Sequence, residues 1–205
     1  MKAAPIRIVI AEDQTMVLGA LAQLLQLEDD LDVVATANDG IAALAMVREH
    51  CPDILLTDIE MPNMTGIGVA QTLAHDNTSV RVIIVTTFDR SGYLQRAMAA
   101  GVRGYLLKDS PIDTLAQAIR TVAGGGRAIA PEVAAAAWKT GPDPLSERER
   151  TVLRLAEEGQ SNKRIARALS LSPGTVRNYL SDAAVKLGAS SRTQASRIAR
   201  DNGWL

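Results

Sequence analysis

Cysteine is nearly absent: Cys51 stands alone in 205 residues, so no intrachain disulfide can form and no cluster of thiolates can hold a metal. A reducing compartment agrees with that usage, and Cys51 is expected to serve packing at a helix end. Long apolar runs are missing too, none approaching the roughly 20 residues that a bilayer-spanning helix needs. The opening Met1-Lys2-Ala3-Ala4-Pro5 leads into a strand-like segment without the apolar region of a signal peptide. A cytoplasmic protein with no membrane insertion is the expectation.

Net charge is also close to lacking, at −1, but the balance hides a division. Residues 1–143 carry 11 Lys and Arg against 17 Asp and Glu, whereas residues 144–205 carry 11 against 6. The acidic front and the basic back ask for different partners, and only the back has the sign that phosphate backbones attract. With 47% hydrophobic residues, the chain suffices for one ordinary core and a smaller second one.

The front part alternates short apolar runs with segments of helical period. The runs are Ile6 to Ile10, Val33 to Ala35, Ile54 to Leu56, Val82 to Val85 and Gly104 to Leu107, and near-continuous hydrophobicity marks strands buried on both faces of a parallel sheet. Helices are predicted at about 15–27, 40–50, 67–75, 92–100 and 112–123, giving a doubly wound five-stranded α/β domain over residues 1–123. After Gly124-Gly125-Gly126 the pattern dissolves, with a short Ala-rich helix possible at Pro131 to Trp138. Residues 124–143 are predicted to be a linker. Residues 144–205 are predicted to be all-α with four helices: one opened by the capping box Ser146-Glu147-Arg148-Glu149, one over 162–170, one capped by Ser172 with Pro173 first, and one over 192–202.

In doubly wound sheets the chemistry sits beyond the carboxyl ends of the strands. Glu12 and Asp13 follow the first strand, Asp58 the third, Thr86 ends the fourth and Lys108 follows the fifth. Taken singly, each has an ordinary explanation: a turn aspartate, a β-branched strand residue, a solvated lysine. Together they make a cleft of crowded carboxylates that calls for a cation, and an all-oxygen site suits Mg2+. Opposite stand an ammonium and a hydroxyl able to receive a phosphoryl group, with an Asp carboxylate as nucleophile.

The runs Ala11-Glu12-Asp13, Thr57-Asp58-Ile59-Glu60-Met61-Pro62, Val85-Thr86-Thr87 and Gly104-Tyr105-Leu106-Leu107-Lys108 resemble, in order and spacing, the receiver domains of response regulators. The resemblance implies that Asp58 accepts phosphate from a histidine kinase. It implies that Glu12, Asp13, Asp58 and the Glu60 backbone carbonyl serve Mg2+, with Glu12 acting through water. Thr86 and Lys108 would engage the phosphoryl oxygens, and Tyr105 would change rotamer with Thr86 to report the event. Asp109 stands where many receivers have proline, which bears on the loop geometry there.

In the basic back half, the turn Ser170-Leu171-Ser172 has the length for a helix-turn-helix. The helix after it would enter the major groove with Thr175, Arg177, Asn178, Ser181 and Lys186 outward and Val176, Leu180, Ala183 and Leu187 inward. The segments Pro144-Leu145-Ser146-Glu147-Arg148-Glu149, Ser161-Asn162-Lys163-Arg164-Ile165-Ala166 and Gly174-Thr175-Val176-Arg177-Asn178-Tyr179 resemble the LuxR-type DNA-binding domain. The whole is similar to the NarL/FixJ family, which implies a transcription regulator acting on promoter DNA and not an enzyme. Its subgroup likeness points to membrane-lipid genes as targets.

The first helix is apolar over an arc of about 200°, twice the roughly 100° stripe that one core requires. That excess calls either for a protein partner or for cover by the fifth helix or the linker; with a partner, homodimerisation favoured by phosphorylation is expected, through Leu18, Leu21 and Leu25 of the first helix and Ile112, Leu115 and Ile119 of the fifth. Two rivals stand beside this account. A Mg2+-dependent aspartyl-phosphate phosphatase would use Asp58 as nucleophile and Glu60 as second acid, and a ligand-sensing LuxR-type activator would share only the DNA module.

Overall fold

A computed structural model of the chain describes residues 4–87, 91–140 and 143–205. Residues 1–3 of the opening segment and Gly141-Pro142 of the expected linker lie outside the described residues. The elements run β1 (Ile6–Ala11), α1 (Thr15–Leu25), β2 (Leu31–Ala37), α2 (Gly40–His50), β3 (Ile54–Thr57), α3 (Gly66–His75), β4 (Arg81–Thr86), α4 (Ser91–Ala99), β5 (Gly104–Leu107), α5 (Ile112–Ala123), β6 (Ala128–Ile129), α6 (Pro131–Thr140), α7 (Glu147–Glu157), α8 (Asn162–Ala168), α9 (Pro173–Lys186) and α10 (Arg192–Asp201). By its contacts the chain divides into two compact units, one within residues 1–89 and 96–135 and the other within 90–95 and 136–205.

The apolar runs become an all-parallel sheet in the order β2-β1-β3-β4-β5-β6. Side chains alternate across it. Ile8, Ile10, Ile54, Leu56, Ile83, Val85 and Leu106 enter one core with Leu25 of α1 and Leu115, Ile119 and Val122 of α5. Their sequence neighbours Val9, Leu55, Ile84 and Tyr105 are equally buried on the other face, which is why the runs carry no polar alternation. Each such side chain contributes on the order of 1.5–3 kcal/mol by leaving water.

The sheet has six strands where five were expected. Gly104 pairs with Ala128 and Tyr105 with Ile129, so part of the segment predicted as linker extends the sheet. This added strand covers the edge of β5, where Tyr105 is fully buried. The Ala-rich helix anticipated there is α6.

Helix starts follow the caps. Asp39, Thr65, Ser146, Ser161, Ser172 and Ser191 each accept backbone N–H groups that the first turn leaves free. In the second unit, Val152, Leu153, Ile165, Val176, Ala183, Ala195 and Ala199 form a separate core.

Two glycines bring backbone close to the strand ends. A Cβ on Gly66 would overlap the Asp58 carbonyl, and one on Gly40 would overlap the Met64 carbonyl. Gly66→Ala is expected to cost about 3 kcal/mol, because backbone and not a mobile side chain must move. Urea unfolding monitored by circular dichroism measures it, and a loss below about 1 kcal/mol would show that this packing is not tight.

Candidate functional site: a carboxylate cluster and a basic helical module

Strand register assembles the first site. Ala11 pairs with Thr57 across β1 and β3, so the next residues, Glu12 and Asp58, leave the sheet side by side. Thr86 pairs with Leu107 across β4 and β5, which sets Lys108 beside the end of β4, and the Lys108 N–H donates to the Thr86 carbonyl at 2.8 Å. Because β1 lies between β2 and β3, the crevice opens where the chain direction of winding reverses.

Glu12, Asp13 and Asp58 offer carboxylate oxygens within 4.8 Å of one another. Glu12 and Asp58 are buried and Asp13 is exposed. Lys108 Nζ reaches both buried carboxylates, at 2.7 Å from Glu12 Oε2 and 2.8 Å from Asp58 Oδ2. The other Asp58 oxygen accepts from the Ile59 N–H at 2.6 Å, and Glu12 Oε1 accepts from the Gln14 N–H at 3.1 Å.

The electrostatics follow from this crowding. Burial pushes the Glu12 carboxyl above its ordinary value and the Asp58 charge adds to the rise, while hydrogen bonds from Lys108 and the Gln14 N–H oppose it. Burial alone would pull the Lys108 ammonium down, but its hydrogen bonds to Asp58 and Glu12 outweigh that and hold it above its ordinary value. Three carboxylates and no nitrogen or sulfur donor form a set that fits a hard divalent cation. Thr86 is buried at the end of β4, Tyr105 lies inside β5, and Glu60 is exposed two residues beyond Asp58. Glu12, Asp13, Asp58 and Lys108 thus gather at one end of the sheet, with Thr86 at the end of the neighbouring strand and Tyr105 paired with Ile84 within β5.

In the second unit α9 follows α8 after a tight turn in which Ser170 is left-handed, at φ 54. Ser172 Oγ accepts from the Thr175 N–H at 3.0 Å and lies 2.9 Å from Thr175 Oγ1, so the Thr175 hydroxyl belongs to the cap. Arg177, Asn178 and Ser181 are exposed, while Val176, Leu180 and Ala183 are buried. Lys163, Arg164 and Arg167 of α8 are also exposed and were not singled out in advance. Their signal was a basic set at i, i+1 and i+4 opposite Ile165 and Ala166.

Lys186 has a partner that its position in the sequence did not suggest. Its Nζ lies 2.7 Å from Glu149 Oε2, and the same buried carboxylate accepts from the Ser146 N–H at 2.7 Å and the Ser146 hydroxyl at 2.8 Å. One acid therefore caps α7 and braces the far end of α9.

The expected dimer residues divide. Leu25, Leu115 and Ile119 are buried in the core of their own unit and offer no surface, and Leu18, Leu21 and Ile112 pack partly against that core. The apolar excess instead turns Met16 and Leu24 of α1 and Leu27 of the following turn outward, with Met16 87% and Leu27 79% exposed. The helix is rotated so that Leu25 faces inward. Arg120 of α5 bonds Glu28 at 2.6 Å and Asp30 at 2.7 Å, tying α5 to the turn after α1.

Residues 8–120 match the response regulator receiver domain, and residues 143–199 match the bacterial regulatory proteins of the luxR family. The chain therefore belongs to the DNA-binding two-component response regulators of the LuxR class. Among its relatives, the transcriptional regulatory protein DesR of Bacillus subtilis is 47% identical over 200 residues, covering 98% of this chain and 99% of DesR. The regulatory protein YvfU of the same organism is also 47% identical, over 98% of this chain and 100% of its own length. The crystal structure of the response regulator ChrA of a heme-sensing two-component system superimposes with a TM-score of 0.60 at 35% identity, covering 99% of this chain and 100% of ChrA. These relatives are transcriptional regulators and regulators of two-component systems, which sets the phosphatase rival aside. A receiver where a ligand-sensing domain would stand removes the other.

The Glu149 brace has a pH signature. Burial alone would raise this carboxyl, but Lys186 and the Ser146 donors hold it below its ordinary 4.5. A depressed folded-state value stabilises the domain above the unfolded value, and that contribution fades as pH falls through the lower folded value. Glu149→Gln is expected to cost about 1–2 kcal/mol at pH 7, with the gap to wild type narrowing as pH falls below 4.5; a gap that stays constant through acid would contradict it. Lys186→Met should lose stability yet keep the slope of log affinity for DNA against log salt. A direct phosphate contact would lower that slope by about one.

Proposed function

We propose that Asp58 is the phosphoacceptor of this regulator, that a sensor histidine kinase supplies the phosphoryl group, and that the modification raises promoter binding by the C-terminal domain. The observation that carries the proposal is the shared ammonium. Lys108, Glu12 and Asp58 interlock at the strand ends, with Asp13 completing an all-oxygen cluster.

In this account a carboxylate oxygen of Asp58 attacks phosphorus, an O–P bond forms, and the N–P bond of the donor phosphohistidine breaks as the imidazole leaves. Lys108 follows the transferred charge, and the Thr86 hydroxyl donates to a phosphoryl oxygen. Glu12, Asp13, Asp58 and the Glu60 backbone carbonyl would hold Mg2+, which when bound neutralises charge building on the phosphoryl oxygens. Tyr105 reports the change at Thr86, since both lie buried near the ends of adjacent strands.

The proposed domains are a receiver over 1–123, a connecting segment over 124–143 that includes β6, and a DNA-binding domain over 144–205. The two family matches, 8–120 and 143–199, support these limits. Arg177, Asn178 and Ser181 are the proposed groove contacts, with Thr175 acting through the helix cap and Lys186 through the Glu149 brace. Lys163, Arg164 and Arg167 add charge toward phosphates. A homodimer of the phosphorylated form would use the outward side of α1, Met16 and Leu24, together with the half-buried Leu18, Leu21 and Ile112. Paired half-sites on DNA suit such a dimer.

Among the described residues no helix is long and apolar enough to cross a membrane; the proposed location is the cytoplasm, where a kinase and promoter DNA would both be within reach. Membrane-lipid genes are the targets that the DesR likeness suggests. Equal identity to YvfU makes the operator itself the thing to read out.

Footprinting on genomic DNA with acetyl phosphate and Mg2+ tests the proposal. Wild type is expected to gain protection on phosphorylation and Asp58→Ala to gain none. Equal stimulation of both proteins would overturn it.

A further inference from the structure

The junction Ala37 to Gly40, between β2 and α2, touches both loops that carry the carboxylate cluster. On one side the Ala37 carbonyl accepts from the Glu12 N–H at 3.0 Å. On the other, Asp39 holds two elements at once. Its Oδ1 caps α2 by accepting from the Ile41 and Ala42 N–H groups, both at 2.8 Å, and its Oδ2 accepts from Asn63 Nδ2 at 3.2 Å.

Asn63 sits in the loop that follows Asp58, in a left-handed conformation at φ 65. Asparagine adopts that region more readily than most residues, but a non-glycine residue there still needs support from its surroundings. The loop's own bonds lie mostly toward its base, where the Ile59 N–H donates to Asp58 Oδ1 at 2.6 Å, the Thr57 hydroxyl to Met61 Sδ at 3.9 Å and the Gly66 N–H to the Ile59 carbonyl at 2.9 Å, and near its tip the Met64 N–H donates to the Pro62 carbonyl at 2.7 Å. Gly40 lets the Met64 carbonyl approach α2 so closely that no Cβ would fit between them. The tip of the loop is also held from outside, by Asp39 and the first residue of α2.

We infer that Asp39 is a positioning residue for the cation site: through Asn63 it clamps the loop after Asp58 and so sets how tightly the Glu12, Asp13 and Asp58 cluster takes a divalent cation. The inference rests on the proposed Mg2+ role of that cluster. Asp39 touches neither cation nor phosphoryl group; it acts on the backbone that presents them, as outer partners of metal sites do.

Calorimetric titration of the unphosphorylated full chain with Mg2+ tests the clamp. Asp39→Ser keeps a helix cap but is too short to reach Asn63, and Asn63→Gly keeps the left-handed turn while removing the amide. Each is expected to weaken Mg2+ binding about tenfold, and the double variant no further, because both remove the same bond. Asp39→Asn should bind nearly as wild type, since its oxygen still caps α2 and its amide can donate to a turned Asn63 side chain. The rate of phosphorylation by acetyl phosphate at saturating Mg2+ should be unchanged, a split that general destabilisation would not give. Wild-type affinity in Asn63→Gly, or additive losses in the double variant, would overturn the inference. A wild-type chain that binds no Mg2+ would instead overturn the cation reading of the cluster, and the clamp with it.

Discussion

One ammonium shared by two buried carboxylates is the interaction on which the rest of the first unit depends. At the spacing of Glu12 and Asp58, two uncompensated charges would repel by several kcal/mol near a protein surface, and by more inside. Lys108 lies within 2.8 Å of both and makes the cluster tolerable. The arrangement is also poised, because a cation or a phosphoryl group entering the cleft changes what Lys108 must neutralise. The Lys108 backbone N–H is bonded to the Thr86 carbonyl, which roots the lysine beside the end of β4.

Everything that brings these groups together is ordinary sheet physics. A parallel sheet buried on both faces aligns its strand ends, and register places Glu12 beside Asp58 and Lys108 beside Thr86. Glycines at 40 and 66 allow the backbone to close around the loop after Asp58. In the second unit a different device serves an analogous purpose. The buried Glu149 carboxylate ties the start of α7 to the end of α9, adding a polar brace to the core that Val176, Leu180 and Ala183 of α9 enter.

Much of this was legible in the residues because it is local. Buried parallel strands lack alternation, Ser and Asp caps announce helix starts, and strand ends identify the place for chemistry, where Glu12, Asp58, Thr86 and Lys108 stand in the sequence. What escaped is non-local or too short to have a pattern. β6 is two residues long, and no periodicity exists over two residues; only its pairing with β5 defines it. Lys186 reads as an exposed cation until a carboxylate 37 positions away is folded against it. The apolar arc of α1 gave the right excess of hydrophobic surface but not its rotation, and Leu25 rather than Leu24 went inward because that side of the helix meets the sheet and α5. Asp39 carried a cap signal, which it satisfies; its second oxygen's bond to Asn63 depends on two loops meeting.

The proposed function turns on a covalent event at one side chain. Peptide mapping by mass spectrometry, after brief incubation of the full chain with acetyl phosphate and Mg2+, measures it directly. The account predicts a single labile phosphoryl group located on Asp58. A chain left unmodified under those conditions, or one carrying phosphate at another residue with Asp58 untouched, would contradict it.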